Sequence, residues 1–249
     1  MTKSIEAVSP VRKLRDQIIV ALDVETAADA REISNELEGH VGAFKIGLQL
    51  FTAAGPSIVR ELAGKGKRIF LDLKFHDIPN TVAKASVEAA KLGVWMFNIH
   101  VSGGSEMMRR TVIEVDEACD AGDLKRPLII GVTVLTSSDN ETLGEIGVHG
   151  DAERHVVRLA HLASTAGLDG AVASASEVKA VRKAVDVDDF VLVTPGIRPT
   201  FATDDDQRRV TTLSEACALG ADYFVIGRPI TQAKDRLAAV DRLVCEVIG

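Results

Sequence analysis

The sequence predicts a single-domain (β/α)8 barrel. Short apolar runs alternate with longer amphipathic segments along the whole chain, eight of each. The length of 249 residues is typical of that fold. After the first apolar run the chain reads Asp23-Val-Glu-Thr-Ala-Ala, without the glycine-rich turn that a doubly wound sheet places there.

Taken in order, the strands are expected at 17–23, 43–47, 68–74, 95–100, 128–134, 170–173, 190–194 and 223–227. Each is a short apolar run. The helices between them are expected at 27–38, 56–63, 81–92, 105–121, 152–166, 176–184, 212–219 and 230–248, where apolar residues recur at helical spacing. No linker or low-complexity tract divides the chain. Residues 1–16 read as an N-terminal extension and residues 17–249 as the barrel.

The bulk numbers narrow the function. A hydrophobic content of 46% supplies a sizeable core. The uncharged apolar runs are far shorter than a membrane span, and the polar N-terminus lacks the apolar core of a signal peptide. No membrane association and a cytoplasmic location are expected. A net charge of −7 argues against non-specific nucleic-acid binding. Cys119, Cys217 and Cys245 are far apart and lack metal-ligand spacing, so all three read as packed thiols.

In such a barrel, function sits at the C-terminal ends of the strands. Strand one ends at Asp23, strand two carries Lys45, and strand three carries Asp72 and Lys74. Residues two apart on a strand share a face, so Asp72 and Lys74 are expected to project together, away from Leu71 and Leu73. Charge on the inner face of an apolar element is costly unless paired, and an alternating array of signs permits pairing. Asp77 continues the pattern D-x-K-x-x-D. It also reads as a cap for the helix that Pro79 opens. His76 and His100 lie near the same rim and read as structural.

The second half of the chain carries an expected anion site. Strand seven runs into Thr194-Pro-Gly-Ile-Arg198, and strand eight into Ile226-Gly-Arg-Pro229. Barrels frequently bind phosphate in these two loops. Arg198 and Arg228 offer planar charged forks, and Gly227 permits close backbone approach. The polar loop 199–209, with Gln207, reads either as a lid or as a plain solvated loop. Hydroxyls in Gly131-Val-Thr-Val-Leu-Thr-Ser-Ser138 either bind a polar heterocycle or cap the next helix.

D-x-K-x-x-D is unspecific alone. The longer string Asp72-Leu-Lys-Phe-His-Asp-Ile-Pro-Asn-Thr81 is specific, and it stands in order with Ala21-Leu-Asp23, Phe44-Lys-Ile-Gly47 and the segments at 131–137, 194–198 and 226–229. On these residues the chain resembles the orotidine 5′-monophosphate decarboxylase family over nearly its whole length. The resemblance implies conversion of orotidine 5′-monophosphate to UMP and CO2, the last step of UMP synthesis, without metal or cofactor. It implies a homodimer in which Lys45, Asp72 and Lys74 of one subunit meet Asp77 and Thr81 of the other. It implies ribose contacts from Asp23, Lys45, Asp77 and Thr81, with Ile78 beside them. Phosphate contacts fall to Arg198, Gln207, Gly227 and Arg228, and a pyrimidine contact to Thr136 or the adjacent Ser137. The nearest rival is a sugar-phosphate barrel that uses Mg2+ and needs a further carboxylate for the metal. A rival of another class is a nucleotide-binding barrel that has lost its chemistry.

Overall fold

A computed structural model describes residues 9–199 and 211–249. Eight parallel strands close into a barrel in sequence order, with β8 pairing β1. They are β1 (Ile18–Ala21), β2 (Ala43–Gly47), β3 (Ile69–Phe75), β4 (Met96–His100), β5 (Leu128–Val132), β6 (Gly170–Val172), β7 (Val191–Thr194) and β8 (Tyr223–Ile226). The described helices are α1 (Pro10–Gln17), α2 (Ala27–Glu36), α3 (Leu48–Ala54), α4 (Pro56–Gly64), α5 (Pro79–Lys91), α6 (Gly104–Gly122), α7 (Asn140–Glu145), α8 (Ala152–Thr165), α9 (Ala175–Ala184), α10 (Leu213–Leu219), α11 (Arg228–Thr231) and α12 (Arg236–Ile248).

Strand alternation builds two apolar layers. Ile19, Ala43, Phe70, Met96, Ile130 and Val193 fill the barrel interior. The intervening residues, among them Val20, Phe44, Leu71, Phe97 and Leu192, pack outward with the helices. The N-terminal end is closed by Arg68, whose guanidinium stacks 3.9 Å from the Trp95 ring centroid, with Trp95 edge-on to Tyr223. Each interior residue fixes the direction of the residue two positions on. Above Ala43, Phe70 and Met96 stand Lys45, Asp72 and Asn98, a polar layer at the C-terminal mouth.

All eight expected strands and the helices between them are present. Four differences have local causes. Pro10 opens α1 within the expected extension, where Ser9 accepts the Arg12 N–H, Leu14 is buried and Arg15 pairs with Asp241. The segments 48–54 and 140–145 form short extra helices, α3 and α7. The single helix expected at 230–248 is two, because Asp235 accepts the Ala238 N–H and starts α12 afresh. Finally, of the three expected packed thiols only Cys119 is fully buried. Cys217 is half-buried and Cys245, on the outer face of α12, is exposed. Among the described residues no helix is long and apolar enough to cross a membrane.

Candidate active site

The polar layer is a continuous chain of charge. Lys45 Nζ lies 3.0 Å from Asp23 Oδ1 and 3.2 Å from Asp72 Oδ2. Lys74 Nζ lies 2.6 Å from Asp72 Oδ1. Signs therefore alternate across three strand ends, in the order Asp23, Lys45, Asp72, Lys74. Burial disfavours the charged form of both central groups, but their partners win. Burial would lower the Lys45 pKa, yet Asp72 and Asp23 hold it above the ordinary lysine value. Burial would raise Asp72, yet Lys45 and Lys74, with a hydrogen bond from Asn98, hold it below the ordinary carboxylate value.

Lys74 reaches Asp72 by a route that strand alternation does not give. Its φ is 53°, in the left-handed region. Opposite Leu71–Phe75, β4 advances only from Phe97 to Ile99, so β3 carries a bulge. A left-handed non-glycine residue costs about 1–3 kcal/mol and persists only where its surroundings hold it. Asn98 provides the hold. Its Oδ1 accepts the Lys74 backbone N–H at 2.8 Å, and its Nδ2 donates to Asp72 Oδ1 at 2.7 Å. The sequence reading missed Asn98. The signal was present, since it stands two residues beyond the interior Met96.

A cavity of about 150 Å³ opens above this layer, lined by Lys45, Asp72, Lys74, Asn98, Thr136 and apolar groups including Val132, Val193 and Val225. Thr136 is in its wall, and the neighbouring Ser137 is exposed outside that lining. The hydroxyls of 131–138 do not supply the cap of α7, which is Asp139, accepting the Thr142 N–H. Thr133 donates to the Val172 carbonyl.

A second cleft, of about 540 Å³, adjoins the first through Lys45, Pro195 and Val225. Asp23, Arg198, Gly227 and Arg228 line it. Among the described residues, a Cβ at Gly227 would meet nothing closer than Ala21, at an ordinary 3.5 Å. Packing among the described residues thus gives no reason for glycine there, and Gly227 lines the cleft. Gly47 is different: a Cβ there would lie 3.1 Å from Lys45 Nζ and 3.2 Å from Asp23 Oδ1, crowding the pair. Gln207 and most of the polar loop lie outside the described residues.

Asp77, Ile78 and Thr81 stand on the outer lip and are exposed, with Ile78 at 66%. Asp77 accepts the N–H of the next residue, Ile78, at 2.6 Å. It is not the N-cap of α5, a position held by Ile78 with no side-chain hydrogen bond. Among the described residues no ion pair joins Asp77 to Lys45 or Lys74. The His76 and His100 rings lie tilted to one another, with centroids 5.2 Å apart, near Lys74. Burial first, then the neighbouring His76 and Lys74, push the His100 pKa below its ordinary value. Among the described residues no three His, Cys, Asp or Glu side chains are grouped as metal ligands.

A closed parallel barrel with a paired charge chain at its C-terminal mouth, open to a cavity, defines a barrel enzyme. The comparisons with known proteins agree. The family model described as "Orotidine 5'-phosphate decarboxylase / HUMPS family" matches residues 16–243. The chain belongs to that family. A curated orotidine 5′-phosphate decarboxylase of Syntrophotalea carbinolica is 52% identical over 233 residues, 94% of this chain and 95% of its own. Its counterpart from Geotalea daltonii is 49% identical over 235 residues, 94% of this chain and 97% of its own. The crystal structure of orotidine 5′-phosphate decarboxylase from Lactobacillus acidophilus superposes with a TM-score of 0.80 at 35% identity, covering 93% of this chain and 99% of that one.

Proposed function

We propose that the chain decarboxylates orotidine 5′-monophosphate to UMP and CO2, in pyrimidine biosynthesis. The observation that carries the reading is the Asp72 carboxylate held between two ammonium groups at the floor of the cavity. Relatives near 50% identity bear that activity as their name.

The chemistry follows from the charges. Breaking the C6–carboxylate bond leaves the electron pair on C6, in an orbital outside the ring π system. The substrate has no built-in electron sink. The site must stabilise that pair electrostatically. The Lys74 ammonium is the donor: it faces the developing carbanion, then passes it a proton, and UMP leaves with a C6–H bond. Lys74 regains its proton from water. Asp72 holds the Lys74 ammonium oriented before the step. It also stands beside the departing carboxylate.

The adjoining cleft suits the ribose phosphate. Arg198 and Arg228 are the phosphate ligands in this reading, with Gly227 and with Gln207 from the loop. Asp23 and Lys45 take the ribose hydroxyls, and Thr136 takes the pyrimidine. Asp77, Ile78 and Thr81 serve the site of a second subunit in a homodimer; their exposure on the lip supports this assignment. A cytoplasmic location suits such an enzyme.

The assay is loss of orotidylate absorbance with purified protein in EDTA. Turnover that persists in chelator is expected. No loss of orotidylate, with Mg2+-dependent turnover of a sugar phosphate instead, favours the sugar-phosphate type of barrel.

A further inference from the structure

We propose that Asn98 is a positioning residue for this reaction, clamping the left-handed Lys74 backbone and the Asp72 carboxylate into one rigid unit. The inference rests on the decarboxylase reading above and assigns a role to a side chain outside the charge chain.

Asn98 is 1% exposed, on β4, and its carboxamide is spent on two partners. Only one orientation of that amide serves both. The oxygen must face the Lys74 N–H, and the NH2 must face the carboxylate. Reversed, it would set an NH2 against an N–H and an oxygen against a carboxylate. The three groups close a ring: Lys74 Nζ to Asp72 Oδ1 at 2.6 Å, Asp72 Oδ1 to Asn98 Nδ2 at 2.7 Å, and Asn98 Oδ1 to Lys74 N at 2.8 Å. The bulge in β3 releases Lys74 from the sheet ladder, so its backbone N–H depends on this side chain. The same amide occupies Asp72 Oδ1 and leaves Oδ2 toward Lys45. Asn98 therefore acts through Lys74 and Asp72, by fixing where the proton is held.

The charged groups around it are Asp72 and Lys74 from β3, Lys45 from β2 across the carboxylate, and His100 further along its own strand. From β5 the cavity wall is Val132, which is uncharged.

The test compares the full-length parent with Asn98→Ala and Asn98→Asp, reading kcat, KM and UMP affinity across pH. For Asn98→Ala the expected result is a fall in kcat of about hundredfold, from misplaced reacting groups. KM and UMP affinity should stay within about threefold, because the ligand contacts remain. Asn98→Asp keeps the shape, so it carries the test if the alanine variant fails to fold. Its new carboxyl faces Asp72 and can donate only when protonated. Its kcat should therefore climb as pH falls, over a range where the parent is flat. Asn98→Ala within about threefold of the parent kcat overturns the assignment. So does an Asn98→Asp profile parallel to that of the parent. A parent that does not consume orotidylate overturns the decarboxylase reading instead, which separates the two failures.

Discussion

Lys74 grips Asp72 across 2.6 Å from a left-handed backbone position, although the two lie on one strand only two residues apart. A regular strand would place their side chains side by side on one face, with no need of a bulge. Here the backbone turns at Lys74, and the ammonium stays on the carboxylate while the chain leaves for α5. The strained residue is the one assigned the proton. The Asn98 contacts that hold this strained residue keep the ammonium in place before the substrate arrives.

The phosphate assignment makes the first prediction. Arg228 lines the cleft away from the bond that breaks. Binding energy from a remote phosphate is spent on ordering the reacting end. Arg228→Ala should therefore slow turnover of the whole nucleotide and hardly affect the slow turnover of orotidine itself, which lacks phosphate. Steady-state kinetics on both substrates measure this. Equal losses on both would remove Arg228 from the phosphate site.

The proposed sharing of the site between two subunits makes the second. Asp77 is exposed on the lip, and among the described residues no ion pair joins it to Lys45 or Lys74. Asp77→Ala and Lys74→Ala homodimers should each be inactive. Mixed and reassorted, they should form heterodimers with one intact site each. Absence of recovered activity, with heterodimers demonstrated by mass, would place Asp77 outside the partner's site.

His100 makes a prediction about pH. Its pKa is lowered in the folded chain, chiefly by burial and then by His76 and Lys74. Unfolded, it titrates near about 6.5. Below that pH the unfolded chain takes up a proton that the folded site resists. Stability should thus be lost as pH falls from about 6.5 toward the folded value. His100→Asn should flatten that part of the Tm-against-pH curve. An unchanged slope would show that His100 is not the group responsible.

Much of this site was legible because strand period is short and the interior is apolar. Asp72 was set apart from Leu71 and Leu73 by alternation, and the structure shows why it and Lys45 point inward: each stands two residues beyond an interior apolar residue, Phe70 and Ala43. The turn at Lys74 was not legible. It depends on the hydrogen bond that the Lys74 N–H donates to Asn98, 24 positions away in sequence, and local alternation carries no trace of it. Asn98 was passed over because it bears no charge, although its register resembles that of Asp72. The break between α11 and α12 was readable in principle from Asp235 as an N-cap, but the apolar spacing runs on through it. The exposed Cys245 shows the limit of residue type as a guide to burial: it lies on a helix whose buried face is Ala239, Val240, Leu243 and Val244.

The central claim is that Lys74 supplies both the stabilising charge and the proton. Lys74 is the cleanest residue to remove. Its side chain is 31% exposed, and its loss leaves the buried Lys45–Asp72 pair intact. Removing Asp72 would leave the buried Lys45 with the largely exposed Asp23 as its remaining partner, and breaking a buried pair costs about 3–5 kcal/mol, mixing stability with chemistry. The decisive measurement is therefore orotidylate turnover by Lys74→Ala, alongside its UMP affinity. The account predicts that decarboxylation falls below detection while UMP still binds. Turnover near that of the parent would contradict it.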